Sequence, residues 1–76
     1  MTTVSIEYCV PCGHRQRALD TADHLLEAFG QELDAVSLIT GDGGVFKISV
    51  DGNLVFDKSE DPYDLDAITD NVRERV

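Results

Sequence analysis

Val4-Ser5-Ile6-Glu7-Tyr8 alternates apolar with polar side chains, the period-two pattern of a strand with one buried face, and runs directly into Cys9-Val10-Pro11-Cys12-Gly13. From Arg15 the period changes. Ala18, Leu19, Ala22, Leu25, Leu26 and Phe29 recur at spacings of three and four, which places one apolar stripe along a helix and leaves Asp20, Asp23, His24 and Glu27 on the solvated side. Gly30 stands where a left-handed cap would end that helix. Leu33 to Thr40 is rich in β-branched residues and lies where a right-handed crossover returns the chain as a strand parallel to the first.

After the flexible turn Gly41-Asp42-Gly43-Gly44, the segments Val45–Val50 and Asn53–Asp57 flank Asp51-Gly52, a two-residue hairpin signal. Phe46, Ile48 and Val50 share one face of the third strand and Lys47 and Ser49 the other; Leu54 and Phe56 repeat the alternation in the fourth. Asp61-Pro62 predicts an N-cap followed by proline at the first position of a second helix, carried on by Leu65, Ile68, Val72 and Val76. Asp64 and Asp66 near its start and Arg73 and Arg75 near its end suit the helix dipole. The predicted order is β-α-β-β-β-α. Strands buried on both faces would be almost continuously apolar, whereas the first and third strands alternate, so both helices are expected on one sheet face. The other face then carries Ser5, Glu7, Lys47 and Ser49 in water.

Composition narrows the function. Residues 1–76, 42% of them apolar, suffice for one domain, whose small core argues against a large enclosed substrate cavity. Six Lys and Arg against fifteen Asp and Glu give a net charge of −9, which repels phosphate backbones and anionic lipid and argues against nucleic-acid binding. No apolar run approaches the roughly 20 residues of a membrane span, and the start lacks the pattern of a secretory signal. A monomer in a thiol-reducing cytoplasm is expected. With two Lys among its cations, the acidic balance also favours adaptation to high intracellular salt.

The chemistry concentrates at Cys9 and Cys12. Two cysteines separated by two residues, between a strand and a helix start, can form a reversible disulfide, and the positive end of the helix dipole favours a thiolate there. A bridge across so short a loop adds only about 2 kcal/mol by chain entropy, so a structural staple is the weaker explanation. Residues 1–17 carry Arg15 and Arg17 against Glu7, making the cysteine region the one stretch that is not acidic.

Tyr8-Cys9-Val10-Pro11-Cys12, together with the run from Gly43-Gly44-Val45-Phe46 through Asp51-Gly52 to Asp57-Lys58, resembles the selenoprotein W-related proteins, the Rdx family. The resemblance covers nearly the whole chain and includes Leu26-Glu27-Ala28-Phe29-Gly30. It implies an α/β, thioredoxin-like two-layer sandwich with sheet order 2-1-3-4 and thiol-based redox chemistry at the CxxC. Family analogy places Cys12 where some members carry selenocysteine, while thioredoxin logic makes Cys9 the attacking sulfur. We favour Cys9, expected to be the better exposed if the helix begins near Cys12. The chain has no proline before its third strand, where thioredoxins place a cis-proline, so the Thr40–Gly44 turn is expected to take that role.

Other readings of the same residues are weaker. Cys9, Cys12 and His14 provide three possible zinc ligands without a fourth, so neither metal nor cofactor is expected. His14 fits a polar residue of a helix's first turn. Gly41–Gly44 lacks the Lys and following helix of a phosphate loop. Phe29, Phe46 and Phe56 are in phase with the core, and Tyr8 is expected to pack half-buried. The expected activity is thiol–disulfide exchange through Cys9 and Cys12 with a redox partner protein or a low-molecular-weight thiol. The alternative is a non-enzymatic protein-binding module on the same scaffold.

Overall fold

The computed structural model describes residues 2–76. Strand β1 spans Thr3–Cys9, helix α1 Arg15–Phe29, β2 Ala35–Gly41, β3 Phe46–Val50, β4 Asn53–Asp57 and α2 Leu65–Arg73. The sheet order is β2-β1-β3-β4, with β1 parallel to β2 and the other neighbours antiparallel. Element order and sheet order are as expected, and the architecture is a thioredoxin-like α/β two-layer sandwich.

Alternation sets the layers. Val4, Ile6 and Tyr8 of β1 and Phe46, Ile48 and Val50 of β3 are buried together with Ala18, Leu25 and Phe29 of α1 and Ile68 and Val72 of α2. Both helices therefore cover one face. On the other, Ser5 pairs with Ser49 and Glu7 with Lys47.

The Asp51-Gly52 hairpin forms as the sequence predicts, with φ of +52° at Asp51 and +85° at Gly52, as a two-residue primed turn requires. Asp51 also clamps the turn to the sheet: its N–H donates to the Thr3 carbonyl at 2.8 Å, and its Oδ1 accepts from the Thr3 N–H at 2.8 Å.

Four local expectations are corrected. The stripe of α1 is turned from the predicted one: Thr21 is buried, while Leu19 and Leu26 are exposed, because the Thr21 flank is covered through its contact with Tyr63 and the opposite flank lies open. Leu54 does not share the face of Phe56. Ile48 pairs with Phe56 but Ser49 with Leu54, so a bulge at Val55 turns Leu54 out to solvent. Gly30 has positive φ but ψ of −123°, outside the left-handed helical region, and the chain enters a short 3-10 turn over Gly30–Glu32 before β2 starts at Ala35. Helix α2 begins later than Asp61-Pro62 predicts. Its N-cap is Asp64, whose carboxylate accepts from the N–H groups of Asp66 and Ala67, satisfying two of the orphan donors of the first turn.

Candidate functional site

Cys9 ends β1, where it pairs with Gly41 of β2. Its N–H donates to the Val45 carbonyl at 2.8 Å, its carbonyl accepts from the His14 N–H at 3.4 Å, and the Val10 N–H donates to the Gly41 carbonyl at 3.1 Å. Both ends of the 41–45 loop thus grip the cysteine turn. Gly41 suits this close approach, since a Cβ there would lie 2.8 Å from Val45 Cγ1 and 3.1 Å from Glu7 Oε2 and would force a neighbouring side chain to shift. The described residues contain no cis peptide bond. The loop that stands where thioredoxins carry their cis-proline touches the cysteine turn through ordinary backbone hydrogen bonds.

Cys9 and Cys12 are joined as a disulfide, with Cα atoms 5.4 Å apart. The two sulfurs have opposite environments. Cys9 is fully buried, whereas Cys12 is exposed in the turn beside exposed Val10 and Pro11. This reverses the expected exposure. Helix α1 begins at Arg15 rather than near Cys12, so Cys12 lies in the exposed turn just before the helix, while β1 carries Cys9 into backbone hydrogen bonds with the 41–45 loop.

His14 precedes α1 without capping it through its side chain, and the first turn of the helix carries no acidic residue to offset its positive end. Its half-buried ring meets Phe46 edge-on at 6.1 Å between centroids. Phe46 in turn meets Tyr63 at 5.7 Å, and the Arg17 guanidinium lies 4.9 Å over the Tyr63 ring. One guanidinium nitrogen of Arg17, Nη1, is buried without a hydrogen-bond partner. Sequence reasoning missed this Arg17–Tyr63 cluster because Tyr63 lies in an irregular segment, where periodicity assigns no face. His24 is half-buried rather than fully solvated, and among the described residues no three His, Cys, Asp or Glu side chains converge as a metal site would require.

A four-stranded sheet in this order, two helices on one face and a cysteine pair at the first strand–helix junction define a thioredoxin-like CxxC protein. Residues 3–74 match the Rdx family, and the chain belongs to that family. It is 36% identical over 69 residues to migration and invasion enhancer 1 of Bos taurus, covering 86% of this chain and 57% of that protein. Against the protein of the same name from Mus musculus it is 36% identical over 67 residues, covering 83% and 56%. The chain thus spans a little over half the length of the curated relatives it matches. Among solved structures, a protein from Bordetella parapertussis superposes with a TM-score of 0.93 at 31% identity, covering 99% of this chain and 98% of the other. A selenoprotein W-related protein from Vibrio cholerae gives 0.92 at 24% identity over 97% and 95% of the two chains, a likeness of fold.

Proposed function

We propose that this chain, as one domain over residues 1–76, is a thiol–disulfide exchange protein of a reducing cytoplasm, with Cys12 as the attacking sulfur and Cys9 as the resolving one. The observation that supports this reading is the unequal exposure of two bonded cysteines: a partner can reach Cys12 but not Cys9. In the reduced protein the Cys12 thiolate attacks a disulfide of a partner protein or low-molecular-weight thiol, forming one S–S bond and expelling one partner thiolate. Cys9 then loses its proton and attacks Cys12 Sγ. The Cys9–Cys12 disulfide forms, the second partner thiolate leaves, and two electrons have passed to the partner. Run backwards, the same steps oxidise a partner dithiol. The positive end of α1, which no side-chain hydrogen bond caps and whose first residue is the exposed Arg15, follows the cysteine turn directly and favours a thiolate at Cys12. Exposed Val10 gives the partner an apolar contact beside the sulfur.

Residue-resolved alkylation of the reduced protein across pH, paired with trapping by hydroxyethyl disulfide, tests the assignment. Cys12 is expected to titrate below the ordinary thiol value of about 8.5 and to alkylate first. Cys9→Ser is expected to retain a mixed disulfide on Cys12, while Cys12→Ser forms none at a comparable rate. Trapping only through Cys9 would return the roles to the order expected from thioredoxin logic. Ordinary titration of both thiols without trapping would leave a binding scaffold without turnover.

A further inference from the structure

The two edges of the sheet are protected differently. Strand β4 has five residues, a bulge at Val55 and charged Asp57 at its end, features that discourage another strand from pairing. Strand β2 has none of these. Its seven residues, Ala35 to Gly41, carry no charge and no proline, and all seven pair with β1 without interruption, leaving a continuous outer row of backbone groups.

That edge also has an apolar lip. Arg17 and Thr21 form the flank of α1 that meets Tyr63, between β4 and α2. Leu19 and Leu26 lie on the opposite flank, over β2, and are 40% and 48% exposed. Leu38, on the helix side of β2, is 38% exposed, and Ile39, on the open side, 46%. A strand added to β2 would cover all four with its own alternating side chains.

Charge selects the occupant. Exposed Asp34 and Asp42 bracket the uncharged strand, eight residues and about 26 Å apart in extended chain. A second copy is disfavoured: the antiparallel register that uses all seven residues of both strands is centred on Leu38 and sets Asp34 against Asp42 at each end. Like charges directly opposite one another destabilise a strand pair. We propose that the β2 edge docks an extended, apolar segment of a partner protein that carries Lys or Arg at both ends of the paired stretch. This docking is independent of the thiol chemistry.

The test uses the oxidised protein and two cysteine-free nine-residue peptides of alternating valine and threonine, one ending in lysines and the other in glutamates. At low ionic strength the lysine peptide is expected to slow hydrogen exchange of the outward β2 amides and to bind roughly tenfold tighter than the glutamate peptide, two repulsive end contacts being replaced by attractive ones. Added salt should narrow that ratio. The double variant Asp34→Lys/Asp42→Lys should invert the preference, with unchanged exchange protection of β1 and α1 showing that it is folded. Binding of neither peptide, equal binding of both, perturbation away from β2, or a wild-type dimer formed through β2 under these conditions would each overturn the proposal.

Discussion

The Tyr63 hydroxyl lies 2.7 Å from Thr21 Oγ1, and Thr21 in turn donates its single proton to the Arg17 carbonyl at 2.7 Å. Proton counting then makes Tyr63 the donor in the pair. The bond ties the β4–α2 connection to the first half of α1, and the same ring packs on Phe46 and Phe56 and lies under the Arg17 guanidinium. Tyr63→Phe keeps the ring and loses the donor, and is expected to cost about 1 kcal/mol. Tyr63→Ala loses the ring contacts as well and is expected to cost about 2–4 kcal/mol, its half-buried position holding it below a full core truncation. Urea denaturation of the two variants measures the difference; equal losses would show that the ring contributes nothing beyond its hydroxyl.

Gly41 is the second site where one atom group decides the geometry. Gly41→Ala drives a methyl against Val45 Cγ1, and either the Val45 side chain or the loop that holds Cys9 and Val10 must shift. Overpacking of this kind costs about 1–3 kcal/mol. The companion change Val45→Ala removes the obstructing methyl, so the double variant is expected to recover part of the loss and to show non-additivity in a double-mutant cycle. Additive losses in that cycle would place the strain elsewhere.

The fold was legible because each strand and helix announced its own period. Alternation in β1 and β3, the three-four spacing of α1 and the Asp-Gly turn sufficed for element order, and the one-sided alternation placed both helices on a single face. What escaped was non-periodic. The Val55 bulge turns Leu54 over by inserting a single residue, and nothing in Asn53–Asp57 marks it. The start of α2 went astray because Asp61-Pro62 and Asp64 both satisfy the capping pattern, and the bonds from Asp66 and Ala67 choose the second. At the site, the spacing of Cys9 and Cys12 predicted that they could join. Their exposure depended on the 41–45 loop, which comes from a segment thirty residues downstream.

Asp57 offers a titration test. The Ser59 hydroxyl donates to its carboxylate at 2.7 Å and the Ser59 N–H at 2.9 Å, and these bonds, with a smaller contribution from the Lys47 charge, hold its pKa below the ordinary 3.8. A carboxyl lowered on folding stabilises the native state above its unfolded pKa, and this contribution is lost as the pH falls through the lowered folded value. Side-chain carboxyl chemical shifts followed through acid should place the Asp57 midpoint below 3.8, and Ser59→Ala should move it upward. An unchanged midpoint in that variant would remove the hydroxyl as the main cause.

The acidic surface makes the last prediction. Among the described residues one ion pair lies within 4.0 Å, Arg73 Nη1 to Asp70 Oδ1 at 2.7 Å, and it is exposed. A chain of net charge −9 therefore holds most of its carboxylates without a close cation, and their mutual repulsion opposes folding. Salt shortens the range of that repulsion from about 10 Å at 0.1 M to about 3 Å at 1 M. The Arg73–Asp70 attraction is screened as well, but an exposed pair contributes at most about 1 kcal/mol, so the repulsive sum dominates. Tm is accordingly expected to rise from dilute buffer into multimolar KCl, the outcome on which the high-salt expectation from composition depends. Chloride suits the measurement because, unlike sulfate, it adds little stabilisation by exclusion from the surface. A flat or falling Tm would show that the carboxylates are hydrated well enough to leave folding undisturbed, and the high-salt reading would go with it.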